Sequence, residues 1–385
     1  MAAATEMSDL VLDVLRGLIR IPSVNPSIAP DEGQDEEAIA AFARDWLNAH
    51  GAKARLEHAA PGRPNVVAEV GDDGPTLVLC AHLDTVGTTG MTIPPFEPRV
   101  EGSRVYGRGA YDMKGSVAAI MSAMATLASS GGASGRVVAA LVADEEYASL
   151  GAYDFVRRHT ADACIVTEPS EGQLILAHKG FVWADVTTTG RAAHGSRWDL
   201  GVSAIGKMGA VITALEDLDR TTLRNRVAPL VGPASMHCAM IDGGTGLSTY
   251  ADRCRLRVER RTVPGESIDD VTRELEQVVR GACDDVTVDV FFHRPPLTCD
   301  PGAPIVECVR AAAARVTGAV PPDAGVAYWM DAAVFGGAGI ATVNYGPSGA
   351  GAHEAVEWVD LDSVRRVSDV LVEAATSFAA LDRPV

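Results

Sequence analysis

The sequence predicts an α/β protein with a largely parallel sheet, interrupted by an inserted α+β domain. Three observations carry that expectation. Short apolar or β-branched runs alternate with helical patterns outside the middle of the chain. The middle follows another order, strand–helix–strand–strand–helix–strand. At 385 residues the chain also exceeds the ~250–300 residues that one core usually accommodates.

Leu10, Val11, Val14, Leu15 and Leu18 recur at helical spacing, which places an amphipathic helix over 9–20. Pro22 and Pro26 prevent its continuation. Residues 36–50 form a second helix, closed by Gly51, the residue type that most easily takes the left-handed conformation after a helix. The runs 65–70 and 76–80 are apolar and bounded by Gly, Pro and Asp, hence strands. Helical patterns at 115–128 and 150–158 then alternate with strand-like runs at 137–142 and 164–167, and a last such run lies at 341–345. This alternation is the signature of a parallel sheet with helices on its faces.

Between about 180 and 292 the pattern changes. Val182, Ala184 and Val186 alternate with Trp183, Asp185 and Thr187, the period of a half-buried strand. Strand-like runs follow at 235–241, 254–260 and 286–291, with helices at 201–215 and 268–282. That order matches the split βαβ, ferredoxin-like plan. The expected division is 1–179 with 293–385 as one domain, and 180–292 as the insert.

Lys and Arg number 33 against 51 Asp and Glu, a formal net charge of −18. Such a balance argues against nucleic acid as partner, because phosphate binding needs clustered cations. The seven cysteines are odd in number and form no C-x-x-C pair, which excludes a structural zinc knuckle and points to a reducing cytoplasm. Glu6 and Asp9 break the apolar N-terminus, so no signal peptide is expected. The uncharged stretches 116–135 and 332–352 are interrupted by Gly131 and Gly132 and by Gly346 and Pro347, so neither reads as a membrane span.

The chemistry lies where the strands end. The run 76–80 leads into His82 and Asp84, 137–142 into Asp144, Glu145 and Glu146, 164–167 into Glu168, and 341–345 through Gly346 towards His353. In open α/β sheets ligands bind beyond the carboxyl ends of the strands, so these side chains can converge. Asp112 stands just before a helix and can join them. Singly, each has a structural explanation: a hydrogen-bonded turn for His82 and Asp84, a helix start for Glu145 and Glu146, an N-cap for Asp112, surface charges for Asp331 and Glu354. Solvation alone does not explain five such placements at successive strand ends. Imidazoles among four or five carboxylates, without a thiolate, suit a pair of Zn²⁺, Mn²⁺ or Co²⁺ ions. A carboxylate bridging two such ions is the usual arrangement for metal-assisted hydrolysis, and the surplus Glu is available as a base.

These segments resemble the di-zinc amidohydrolase and metallopeptidase family of acetylornithine deacetylase, succinyl-diaminopimelate desuccinylase, aminoacylase and glutamate carboxypeptidase. The resemblance runs essentially end to end. It rests on His82-Leu83-Asp84-Thr85-Val86, Gly107-Arg108-Gly109 with Asp112-Met113-Lys114-Gly115, Asp144-Glu145-Glu146, Thr167-Glu168-Pro169-Ser170, Ala193-His194-Gly195-Ser196, and Gly346-Pro347 with Ala352-His353. It implies Asp112 bridging two zinc ions, His82 and Glu168 completing one, Glu146 and His353 the other. It further implies Glu145 as general base, Asp84 as the carboxylate that orients His82, and a cis peptide after Asp112. His194, Arg261, Ser248 and Gly346 fall at the family's substrate contacts, the first three in an insert that serves as lid and dimerisation domain.

The chain departs from the family at Ser248, where Asn is usual, at Ala251, where Pro is usual, and after His353, where Thr is usual. The aromatic-rich Tyr328-Trp329-Met330-Asp331 is individual. No G-x-S-x-G elbow is present, which disfavours a serine nucleophile. The expected activity is hydrolysis of the amide of a small N-acyl amino acid by a cytoplasmic homodimer, with no membrane partner. Ala177-His178-Lys179-Gly180, which is similar to the deacetylases, favours deacylation. Dipeptidase or carboxypeptidase action on the same centre is the alternative, and a non-catalytic amino-acid binder the third reading.

Overall fold

The computed structural model describes residues 2–130 and 135–381, with side chains from residue 10. Gly131 and Gly132, and the side chains of Glu6 and Asp9, lie outside the described residues. The chain divides into two compact units. One comprises Met1–Leu176, Cys299–Ala324 and Met330–Val385, the other Ala177–Thr298 and Gly325–Trp329.

The first unit is built on a mixed sheet. Four parallel strands form its centre: Arg136–Val142, Thr76–His82, Ala163–Val166 and Ala341–Asn344, in that spatial order. Lys53–Ala60 and Arg63–Gly71 extend one side antiparallel, and Leu174–His178 lies beyond Ala341–Asn344 on the other. The central strands are buried along nearly their whole length, which is why they read as continuous apolar runs. Helix Gly115–Ser129 packs against helices Ala2–Arg20 and Leu361–Ala379, and its Ala, Gly, Ser and Met residues are buried almost all round. Among the described residues no helix is long and apolar enough to cross a membrane.

The second unit is a four-stranded antiparallel sheet in the order Ser235–Gly243, Arg253–Thr262, Gly180–Thr189, Val286–Arg294. Helices Ala204–Thr221 and Ile268–Ala282 cover one face, where Val182, Ala184, Val186, Leu256 and Val258 are buried. Ser203 caps the first helix by accepting the amide of Gly206. The helix therefore starts three residues later than its sequence pattern and runs on through Glu216-Asp217-Leu218-Asp219-Arg220-Thr221.

Candidate metal centre

Candidate side chains stand at or just beyond the carboxyl ends of the central strands. His82 closes Thr76–His82, and its Nε2 lies 3.1 Å from Asp112 Oδ1 and 3.5 Å from Glu168 Oε1. The other ring nitrogen, Nδ1, is 2.9 Å from the main-chain oxygen of Asp84, which places its proton there. After Arg136–Val142 the chain turns sharply at Asp144, whose φ is 70°. Glu145 and Glu146 follow, and Glu146 Oε1 lies 3.1 Å from His353 Nε2.

Asp112 lies within the tight turn Ala110–Lys114 that precedes helix Gly115–Ser129, and the Asp112–Met113 peptide is cis. It is not an N-cap: Lys114 holds that position, without a side-chain cap. Instead its two oxygens divide between the histidines, Oδ1 towards His82 and Oδ2 3.3 Å from His353 Nε2. Glu168 reaches the cluster from the loop after Ala163–Val166, and the Asn344 side-chain amide donates to its main-chain oxygen. Gly346 must be glycine there, because a Cβ would come within 2.1 Å of that same oxygen. Its amide is donated to Ser170 Oγ, 2.9 Å away.

The electrostatics follow from this crowding. Burial, Glu168 and Asp331 hold the Glu145 carboxyl well above its ordinary range. Burial and Asp112 likewise push up Glu146, and burial and Asp112 push up Glu168. Burial would raise Asp112 as well, but its bonds to His353 and His82 hold it below the usual carboxylate range. Bonds to Asp112 and Glu146 carry His353 up to about 10. Burial opposes protonation of His82, yet Glu168 and Asp112 keep it well above the histidine range. Asp331 is buried rather than a surface charge, whereas Glu354 is exposed as a surface acid should be.

Four carboxylates thus face two imidazoles, and no Lys or Arg among the described residues pairs with any of the four. Two donor groups, His82 with Asp112 and Glu146, and His82 with Glu145 and Glu168, each lie within 4.8 Å. Nitrogen and oxygen donors without thiolate fit divalent cations of the zinc, manganese or cobalt type.

Three supporting residues escaped the sequence reading. The Asp84 carboxylate lies 3.6 Å from His82 Nδ1, whose closer partner is the Asp84 main-chain oxygen. Its lone pairs are taken by the amides of Glu145 and Glu146, at 3.1 and 3.2 Å, and by Asn25 Nδ2, at 2.8 Å. Asn25 also donates to Asp144 and accepts from Arg63, which pairs with Glu36. Glu357 is fully enclosed and accepts the amides of Gly109, Tyr111 and Asp112 at 2.9–3.0 Å, while Arg108 pairs with it at 2.8 Å. In the sequence it reads as another acid in a polar loop, four residues after His353. The donor-rich stretch of turn it satisfies gives no sequence signal.

His194, Arg261 and Ser248 belong to the second unit. His194 is exposed, and its Nδ1 accepts the Ser196 amide, leaving Nε2 as a donor. Ser248 ties its loop to this turn by accepting the Gly195 amide at 2.7 Å. Arg261 stands on Arg253–Thr262, opposite Phe181 in register.

Residues 78–377 match the model of Peptidase family M20/M25/M40. Acetylornithine deacetylase of Vibrio cholerae is 32% identical over 279 residues, covering 69% of this chain and 73% of its own. An M20 family metallo-carboxypeptidase from Sulfolobus solfataricus superposes with TM-score 0.80 at 19% identity, over 96% of this chain and 99% of its own. YXEP of Bacillus subtilis, described as a dinuclear metal-binding peptidase of the M20 family, gives TM-score 0.74 at 17% identity, over 97% and 98%. These two likenesses establish the mixed α/β fold, and the first match reaches further: the chain belongs to peptidase family M20/M25/M40 and is a hydrolase.

Proposed function

We propose that this hydrolase cleaves the amide bond of a small N-acyl amino acid, using two divalent cations, zinc in the first place with cobalt or manganese as substitutes. The observation that carries this reading is Asp112, which offers one oxygen to each of two histidines. His82 and Glu168 would hold one ion with Asp112, and His353 and Glu146 the other. Bound there, the pair supplies a Lewis acid for the amide carbonyl and a water that ionises near neutral pH. Glu145 would take a proton from the attacking water and deliver it to the departing amine. Asp84 fixes the peptide that carries both glutamates. Arg261 takes the substrate carboxylate, for which its planar fork is suited. The 32% identity to an acetylornithine deacetylase supports deacylation over dipeptidase or carboxypeptidase action.

A cytoplasmic homodimer through the second unit completes the reading. The outer strand Ser235–Gly243 presents Met240 and Ile241 exposed, and an apolar strand edge favours pairing with a second copy. His194 then donates Nε2–H to the developing oxyanion in the partner's centre. The seven free cysteines fit a reducing compartment.

The test is Glu145→Gln, assayed on N-acetyl, N-succinyl and dipeptide substrates with elemental analysis of bound metal. Removing a general base lowers the rate ~10²–10⁴-fold, and both ions should remain. Loss of an ion would make Glu145 a ligand rather than the base. Failure of the native protein on the whole panel would refute amide hydrolysis.

A further inference from the structure

The uncovered face of the second unit's sheet carries an ordered pattern. Register places Arg294, Phe181, Arg261 and Ser235 side by side across four strands, and Phe292, Trp183, Glu259 and His237 in the next row. The rings form a continuous patch: Trp183 stacks on Phe292 at 5.0 Å, and Phe181 lies 5.2 Å from Trp183 and 5.8 Å from Phe292. Trp183 is 38% exposed and Phe291 50% exposed. Trp329, from the aromatic-rich segment that the sequence marked as individual, is fixed to the same unit through Nε1 and the Pro295 oxygen.

Cations border this patch. The Arg261 guanidinium lies 5.0 Å from the Phe181 ring centre, and that of Arg294 lies 4.3 Å from Phe292 and 5.2 Å from Trp329. Lys179 stands close enough to Arg261 and Arg224 that burial and their charge lower its pKa. Glu259 engages Arg261 Nε at 2.7 Å and Trp183 Nε1 at 2.9 Å. Its hold on Nε leaves the terminal nitrogens of Arg261 for a ligand. In a chain of net charge −18, this concentration of positive charge beside stacked rings is a local exception.

We propose that this face binds the amino acid released by the reaction, and that this amino acid carries an aromatic side chain. The inference rests on the reading that Arg261 takes the substrate carboxylate. A side chain attached one atom from that carboxylate reaches the neighbouring rings, and aromatic faces in offset contact add to ordinary apolar burial. A basic side chain, such as that of ornithine, meets Arg261, Arg294 and Lys179 instead and is repelled. The chain thereby differs from the deacetylase to which it is 32% identical in the substrate it prefers.

The test uses the metal-loaded Glu145→Gln protein, titrated calorimetrically with N-acetyl-L-phenylalanine, N-acetyl-L-alanine and N-acetyl-L-ornithine. N-acetyl-L-phenylalanine should bind about tenfold tighter than either of the others. Trp183→Leu with Phe292→Leu, both outward-facing, should abolish that preference, N-acetyl-L-phenylalanine losing more than N-acetyl-L-alanine, and Trp183→Phe should retain it. Ornithine binding equal to or tighter than phenylalanine, equal losses for phenylalanine and alanine, or no binding at all would overturn the proposal. Hydrolysis by the native protein separates the two readings. Selective binding without hydrolysis of any of the three leaves this face and removes the deacylase. Hydrolysis of all three at equal kcat/KM, without binding preference, does the reverse.

Discussion

His82 and His353 reach opposite oxygens of one carboxylate, yet the protein holds them in contrasting ways. The His82 side chain is 1% exposed, ends a central strand and is bonded to the Asp84 carbonyl. That of His353 is 54% exposed and stands in a loop at a φ of 62°. Behind His82, the chain Asp84–Asn25–Arg63–Glu36 is buried side chain on buried side chain. Behind His353 there is one clamp, Glu357, which grips the Asp112 turn from the same loop. His82 is therefore fixed by the sheet, and the loop that carries His353 by an ion-paired acid.

Breaking the clamp should have the largest effect. Glu357→Gln leaves buried Arg108 without its anion, which typically costs ~3–5 kcal/mol, measurable by chemical denaturation. It should also weaken one of two cations ~10–100-fold in a competition titration, because supporting groups tune affinity by that amount. Equal weakening of both ions would show that the halves are not held separately.

Asn25→Leu attacks the other half. It strands a buried lone pair on Asp84 and a donor on Arg63, so ~1–3 kcal/mol of stability should be lost. A cation bound at His82 should weaken, and one bound at His353 with it, because Asp84 also holds the Glu146 peptide. Unchanged affinity at both would show that the network does not position the donors.

A pH-dependent effect separates the turn from both histidines. Lys114 is fully buried, donates to the Ile21 carbonyl, and is lowered to about 7 by desolvation against an ordinary value of 10.5. Between these two values the unfolded chain carries a proton that the folded chain lacks. Lys114 therefore gives its full stability above 10.5 and loses it as pH falls towards 7, at ~1.4 kcal/mol per unit. Lys114→Met should flatten the stability difference across that window. An unchanged slope would mean that the ammonium stays charged in the fold.

The central strands and the acids and imidazoles that converge at their ends were legible because burial and chemistry leave strong marks. Thr76–His82 and Arg136–Val142 are apolar throughout, and an acid or imidazole directly after such a run is conspicuous. Lys53–Ala60 left no such mark: it is an edge strand whose alternation is blurred by Arg55, Glu57 and His58. Helices Pro304–Thr317 and Leu361–Ala379 were not singled out, although both carry buried apolar stripes. The supporting residues were illegible for another reason. Asn25, Arg63 and Glu357 act on partners 59, 38 and 249 residues away, and no local pattern encodes such pairings.

One strand sets an order of events during synthesis. Ala341–Asn344 lies between Ala163–Val166 and Leu174–His178 in space but is made long after both. His353 and Glu357 emerge later still, about 185 residues behind Glu168. At ~5–20 residues per second, the nascent chain carries a gapped sheet and an unfinished acidic cluster for roughly 10–40 s. During that interval the second unit, almost wholly synthesised between those strands, can fold by itself. The first unit cannot close until the ribosome has delivered the strand that fills its gap, so the hydrolytic centre is assembled last.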